Sequence, residues 1–259
     1  MSTTNPEITV SRAGHVATVV IDRPPNNHVS VPLMRALADQ MEALDADPGV
    51  RAIVLASAGK AFCAGADLAA PDGIGGSGMS GINDLYTQAV RLFSIATPIV
   101  AAVQGAAVGA GLGLALVADF RVAAPEARFA ANFVKLGFHP GFGLTHTLPR
   151  VVGEQRAALM FLTGRRVKAD EALDWGLVDE VVPLADLMTA AQALAGEIAS
   201  NAPLAVVATR KTLRTDLAAA VKAQTDHEHV QQAILRATED FAEGVRSVNE
   251  RRPGNFQGR

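Results

Sequence analysis

The chain is poor in sulfur and in aromatic side chains. Its 259 residues include one cysteine, one tryptophan and one tyrosine, and aromatic residues make up 5% of the total. A lone Cys63 excludes an intrachain disulfide and fits a reducing compartment, so a cytoplasmic location is expected. Neither charge is in excess. Lys plus Arg number 23 against 26 Asp plus Glu, a net charge of −3. That offers no electrostatic footing for nucleic acid or for an anionic membrane surface. The opening MSTTNPEITVSR has no cationic start followed by an apolar run, so no secretory signal is expected. The most apolar stretch, Pro98–Val122, is interrupted by glycines, Gln104 and Asp119, and reads as core rather than as a membrane span. With 49% hydrophobic and 19% charged residues, the chain has the means to bury a sizeable core.

Periodicity then divides the chain. Ile8–Val10 and Val16–Ile21 predict an opening hairpin around Ala13 and Gly14. Ser30 is placed to cap a helix carrying Leu33, Met34, Leu37, Met41 and Leu44 at helical spacing, stopped by Asp47-Pro48-Gly49. Strands are expected at Ala52–Ala56, Ile99–Val103 and Phe120–Ala123. A glycine-rich loop is expected over Asp72–Gly81, with a helix over Ile82–Ile95 and another starting near Gly109. This alternation argues for α/β architecture with a largely parallel sheet. Beyond about Gly153 the pattern turns helical, at Glu154–Leu162, Ala169–Trp175, Leu184–Ser200, Leu204–Ala220 and Thr225–Val248. A boundary near residue 200 divides a core, 1–200, from a helical region, 201–259.

Two segments carry the chemistry. Ala61–Leu68 reads AFCAGADL, and Gly105–Leu116 reads GAAVGAGLGLAL. Each is a small-residue turn able to offer bare backbone N–H groups. Two such turns can aim two donors at one oxygen, which is what a thioester carbonyl needs on becoming an enolate or a tetrahedral oxyanion. The glycines also match a dinucleotide fingerprint formally at Gly76, Gly78 and Gly81, but no strand runs directly into that run. Gly109, Gly111 and Gly113 follow a strand, yet Leu114 stands where the third fingerprint glycine is required.

These segments, together with TPIVAAVQGAAVGAGLGLALVADFRVAA (97–124), ARFAANFVKLGFHPGFGLTHTLPRVVG (127–153), TGRRVKADEALDWGLVDEVVP (163–183) and the tail 239–259, resemble the crotonase, or enoyl-CoA hydratase/isomerase, superfamily. They run in that family's order over nearly the whole chain. The resemblance implies a spiral of ββα turns forming two near-perpendicular sheets, with C-terminal helices that assemble trimers or hexamers. It implies an acyl-CoA thioester as ligand, with coenzyme A part of the substrate and no separate cofactor. It assigns the two oxyanion N–H groups to Ala66 and to Ala110, between Gly109 and Gly111. Ala64, Ala66, Asp67 and Leu68 are implied at the CoA side.

The chain departs from that family where acids are expected. Hydratases carry two glutamates, and those slots hold Gly113 and Phe133. The slot of the isomerase aspartate, after Pro140, holds Gly141. A positioned acid or base contributes roughly 10²–10⁴-fold, so its loss matters. His139, beside the empty slot, is the first candidate to move protons. His28 falls where relatives run near the CoA phosphates. His146 is expected to be structural, and His227 and His229 to be solvated. Asp67 and Glu154 read as capping residues, Asp119 as structural and Cys63 as core. Phe133 and Phe142 are candidates for an apolar acyl pocket. Arg165, Arg166, Lys168 and Lys211 belong on solvated faces or at CoA phosphates. No histidine has metal-ligand spacing to a cysteine or carboxylate, so no metal is expected. Two function classes stay open. One is an enzyme that hydrates, dehydrates or isomerises through a stabilised enolate. The other is a non-catalytic acyl-CoA binder on the same scaffold.

Overall fold

A computed structural model describes residues 7–66 and 74–259. The opening hairpin pairs β1 (Ile8–Ala13) with β2 (Val16–Ile21). Its turn depends on Gly14, whose φ is +58°. Ser30 Oγ then accepts from the Leu33 N–H and starts α1 (Val31–Asp45), with Pro32 in the first turn. Leu33, Met34, Leu37 and Met41 of that helix are fully buried. Each contributes about 1.5–3 kcal/mol by leaving water.

Next come β3 (Ala52–Ser57), α2 (Ile74–Ser94), β4 (Ile99–Val103), β5 (Ala106–Val108), α3 (Ala110–Ala115), β6 (Phe120–Ala123) and β7 (Arg128–Ala130). Then follow α4 (Leu144–Val152), α5 (Glu154–Thr163), β8 (Arg166–Lys168), α6 (Ala169–Asp174) and β9 (Glu180–Val181). The chain closes with α7 (Leu187–Ala199), α8 (Pro203–Leu213), α9 (Leu217–Arg236) and α10 (Glu239–Asn249). The larger sheet runs β1-β2-β3-β4-β6-β9 and is parallel from β2 onward. A second sheet runs β5-β7-β8. The expected α/β architecture with two sheets and a helical C-terminal region is what the chain adopts.

Strand alternation explains the layering. Ala17, Val19, Ile21, Ile53, Leu55, Ile99, Ala101 and Val103 face the core that holds α1 and α2. Their neighbours Val16, Ala52, Val54, Val100, Ala102 and Val122 face α7, which returns Leu187, Ala191, Ala195 and Ala199. These four recur every fourth residue and so share one helix face, and three are alanine, which allows close approach to the sheet. A one-residue register slip would exchange the two faces.

Two expectations are corrected. The helix α2 begins at Ile74, inside the glycine-rich segment expected as a loop. Met79 packs on the core one turn ahead of Ile82, and its spacing with Ile82, Leu85 and Tyr86 extends the buried stripe backward. Asp72 and Gly73 lie outside the described residues. The two long C-terminal helices are three. Asp216 adopts φ +60° ahead of α9, and the Thr238 hydroxyl accepts from the Phe241 N–H to start α10.

A buried charge cluster ties α8 to the sheet. Asp119 accepts from the Ile99 N–H, from Arg210 Nε at 2.8 Å and from Arg214 Nη1 at 2.8 Å. Burial works against the Asp119 charge, but the two guanidinium groups prevail and hold the carboxyl below its ordinary range. Among the described residues no helix is long and apolar enough to cross a membrane.

Candidate active site

The two small-residue turns meet. The Cys63 N–H donates to the Ala106 carbonyl at 2.9 Å, and the Val108 N–H donates back to the Cys63 carbonyl at 3.0 Å. This short parallel bridge sets Ala64–Ala66 beside Val108–Ala110. Only glycine fits at the crossing. A Cβ on Gly65, where φ is +99°, would lie 2.9 Å from the Val108 carbonyl oxygen. A Cβ on Gly111 would lie 2.0 Å from the Cys63 carbonyl oxygen. The outer sides of the turns are tied down as well. The Ala64 N–H donates to Asn26, the Val29 N–H to Gly65 and the Gly109 N–H to Ala130. Among the described residues no carbonyl accepts from the N–H of Ala66 or of Ala110. Ala110 opens α3, where the partial positive charge of the helix end adds to its N–H.

Both residues belong to the wall of one cavity of about 290 Å³. Ala64, Ala66, Gly109 and Ala110 line its donor side. Ile82, Leu85, Phe133, Leu136, Phe138 and Phe142 make much of the remainder apolar. Asp67 and Leu68, expected at the CoA side, lie outside the described residues.

Other groups take the space around Gly113 and Gly141. A side chain on Gly113 would run into Phe142, with its Cβ 2.4 Å from the ring. A side chain on Gly141 would meet the Tyr86 hydroxyl at 1.7 Å and Gln232 Nε2 at 2.6 Å. Phe142 is held at φ +65°, a costly conformation for a bulky residue, so its surroundings must impose it. They do so from two helices. Tyr86 donates to Gln232 Oε1 at 2.8 Å. Gln232 Nε2 donates to the His139 carbonyl at 2.8 Å. Glu228 accepts from the N–H groups of Gly143 and Thr145 and from the Thr145 hydroxyl, at 2.7, 3.0 and 2.6 Å. Burial pushes the Glu228 carboxyl up to about 7 despite these bonds. Burial, reinforced by the Glu228 charge, raises the Tyr86 phenol far above its ordinary range, so it stays protonated.

The sequence profile of the enoyl-CoA hydratase/isomerase family matches residues 11–259. The chain belongs to that family. A putative enoyl-CoA hydratase of Thermus thermophilus is 38% identical over 251 residues, covering 94% of this chain and 98% of the relative. The 2,3-dehydroadipyl-CoA hydratase of Escherichia coli is 35% identical over 257 residues, covering 98% and 99%. Among solved structures, an enoyl-CoA hydratase/isomerase from Pseudoalteromonas atlantica superposes with a TM-score of 0.88 at 33% identity, covering 97% of this chain and all of that one.

This enoyl-CoA hydratase/isomerase family member places its sequence candidates unevenly. Ala64, Ala66, Gly109, Ala110, Phe133 and Phe142 come together around the cavity. His139 does not line it. Phe138 and Phe142 take the inward positions of that turn, and Gln232 pulls the His139 carbonyl toward α9. The His139 ring instead keeps Nδ1 2.7 Å from the Pro140 carbonyl and meets His227 edge-on. His28, expected near CoA phosphates, stands in the cavity wall with Nδ1 3.3 Å from the Gly65 carbonyl. His146 lies on α4 away from the cavity, and Glu154 opens α5. His229 is half-buried rather than solvated, with a shielded Nδ1. Cys63 is buried, and its thiol is pushed up to about 11. Arg165 is engaged by Glu171.

Tyr86, Gln232 and Glu228 escaped the sequence reasoning. A signal existed for each. Tyr86 is the chain's only tyrosine and falls on the apolar stripe of α2. Val221, Thr225, Glu228 and Gln232 recur at helical spacing and form the buried face of α9.

Proposed function

We propose that this protein acts on an acyl-CoA thioester and stabilises the thioester enolate at the N–H groups of Ala66 and Ala110. One observation carries this: two residues whose N–H groups have no carbonyl partner among the described residues stand together in the wall of one largely apolar cavity. Such a pair suits charge that develops on a thioester oxygen, and each donor is worth roughly 3–4 kcal/mol in the transition state. The apolar wall of Ile82, Leu85, Phe133 and Leu136 suits a hydrocarbon acyl group.

The reaction is hydration or dehydration, or migration of a double bond. Either branch needs a group that takes up and returns a proton, and among the described residues the titratable side chains in the cavity wall are those of His28 and Tyr86. The aromatic filling of that wall favours the second reading, an acyl-CoA binder without turnover. Self-association is part of the proposal. Leu204 and Leu213 on α8 and Val230 and Ile234 on α9 are exposed apolar side chains that a trimer contact would cover.

The test is a panel of 2-enoyl-, 3-enoyl- and 3-hydroxyacyl-CoA thioesters followed by mass and by absorbance of the conjugated thioester. Conjugation without a change of mass identifies the isomerase. Gain or loss of one water identifies hydration or dehydration. Binding without either change moves the assignment to the binder, and no binding of any thioester overturns the proposal.

A further inference from the structure

The Gly65 carbonyl is crowded with donors. The Val29 N–H reaches it at 2.9 Å, the His28 Nδ1 at 3.3 Å and the Cys63 thiol at 3.9 Å. A carbonyl oxygen only accepts, so the His28 ring keeps its proton on Nδ1 there. The Cys63 thiol, pushed up to about 11 by burial, keeps its proton as well. That carbonyl and the Ala66 N–H are the two ends of one peptide unit. Bonds to the oxygen draw electron density from the nitrogen across the planar amide and make its N–H a stronger donor.

The placement of His28 is built in. Its carbonyl accepts from Arg23 Nη1 at 2.9 Å. Its neighbour Asn27 is buried at φ +53° and spans to the carbonyls of Ala58 and Ala61, both at 2.7 Å. The loop is therefore anchored to the strand end that leads into the Cys63–Ala66 turn, and the ring stands in the cavity wall.

We infer that His28 is a positioning residue of the oxyanion hole: its Nδ1–H on the Gly65 carbonyl polarises the Gly65–Ala66 peptide and strengthens the Ala66 N–H toward the thioester oxygen. This rests on the acyl-CoA function proposed above. Changing one donor's strength by about 10–30% alters turnover by roughly 2- to 8-fold.

The experiment uses a conjugated aryl-enoyl-CoA thioester, whose absorption moves to the red when its carbonyl is polarised. Bound to the unaltered protein, it shows that red shift. His28→Phe removes the donor, so the shift shrinks, and kcat on any thioester turned over falls about 2- to 8-fold with KM little changed. His28→Ala carries the same expectation if the larger ring fails to fold. His28→Asn returns an N–H to the Nδ1 position and restores most of the shift. A full shift in both His28→Phe and His28→Ala overturns the inference, as does no recovery in His28→Asn with binding intact. A bound probe with no shift in the unaltered protein fails the enolate proposal instead, which keeps the two failures apart.

Discussion

The two sides of the cavity are made of different material. The donor side is backbone: Cys63–Ala66 and Val108–Ala110, locked by two main-chain hydrogen bonds and by glycines that leave no room for a side chain. The opposite side is made of side chains: Phe133, Phe142, Tyr86 and Gln232. The donor side keeps an N–H under any substitution its crowded glycines admit, because every residue but proline supplies one. The opposite side has no such protection. Its chemistry changes with each replacement, and here it consists of aromatic rings and a phenol–amide pair.

The comparison breaks most sharply at Gly111. The substitution Gly111→Ala puts a methyl 2.0 Å from the Cys63 carbonyl oxygen and must part the two turns. About 3 kcal/mol or more of stability is expected to be lost, with a 10²–10³-fold fall in turnover of any substrate. Thermal unfolding and the red shift of a bound conjugated thioester measure both, and unchanged values would show that the hole does not depend on this crossing.

The opposite side is expected to accept redesign. Gly113→Glu alone drives its Cβ against the Phe142 ring and should destabilise the fold. Phe142→Ala alone leaves a cavity that costs about 3–5 kcal/mol. The pair relieves each other's defect, so the double variant should be more stable than the sum of the single effects, because the two sites touch. It should also hydrate enoyl thioesters roughly 10²-fold faster than the parent. Additive stabilities by chemical denaturation would show that Phe142 does not occupy the space a side chain at position 113 needs.

The smallest effect concerns the clamp behind that side. The Glu228 carboxyl sits at about 7 in the folded chain against an ordinary 4.5. Between those values the folded state binds the extra proton, so its stabilising effect is complete below pH 4.5 and is lost as pH rises through 7. The span is at most about 3 kcal/mol. Glu228→Gln cannot titrate, so its melting temperature should vary less across that window. An undiminished slope in the variant would assign the pH dependence to other groups.

Much of this was legible in the chain. Strand alternation, the Ser30 cap and the spacing of Leu33, Met34, Leu37 and Met41 are local properties, and local chemistry predicts them. The two small-residue turns were legible for the same reason, since glycine and alanine let backbone approach backbone closely. His139 stands outside the cavity wall because adjacency in sequence does not set the direction of a ring. Gln232, far away along the chain, holds the His139 carbonyl, and the ring meets the Pro140 carbonyl and His227. The glycine-rich start of α2 was misjudged because propensity argued for a loop, while packing of Met79 and Ile82 on the core outweighed about 1 kcal/mol per glycine.

By itself, then, the sequence determined the layered α/β frame and the two small-residue backbone turns, because each follows from residue type and short-range spacing. Only the tertiary structure decided what stands around Gly113 and Gly141 and which histidine enters the cavity. Those outcomes depend on contacts between α2, α9 and the Phe138–Thr145 turn, and on the Asn27 loop meeting Gly65. Segments distant in sequence impose side-chain directions there that no local preference encodes.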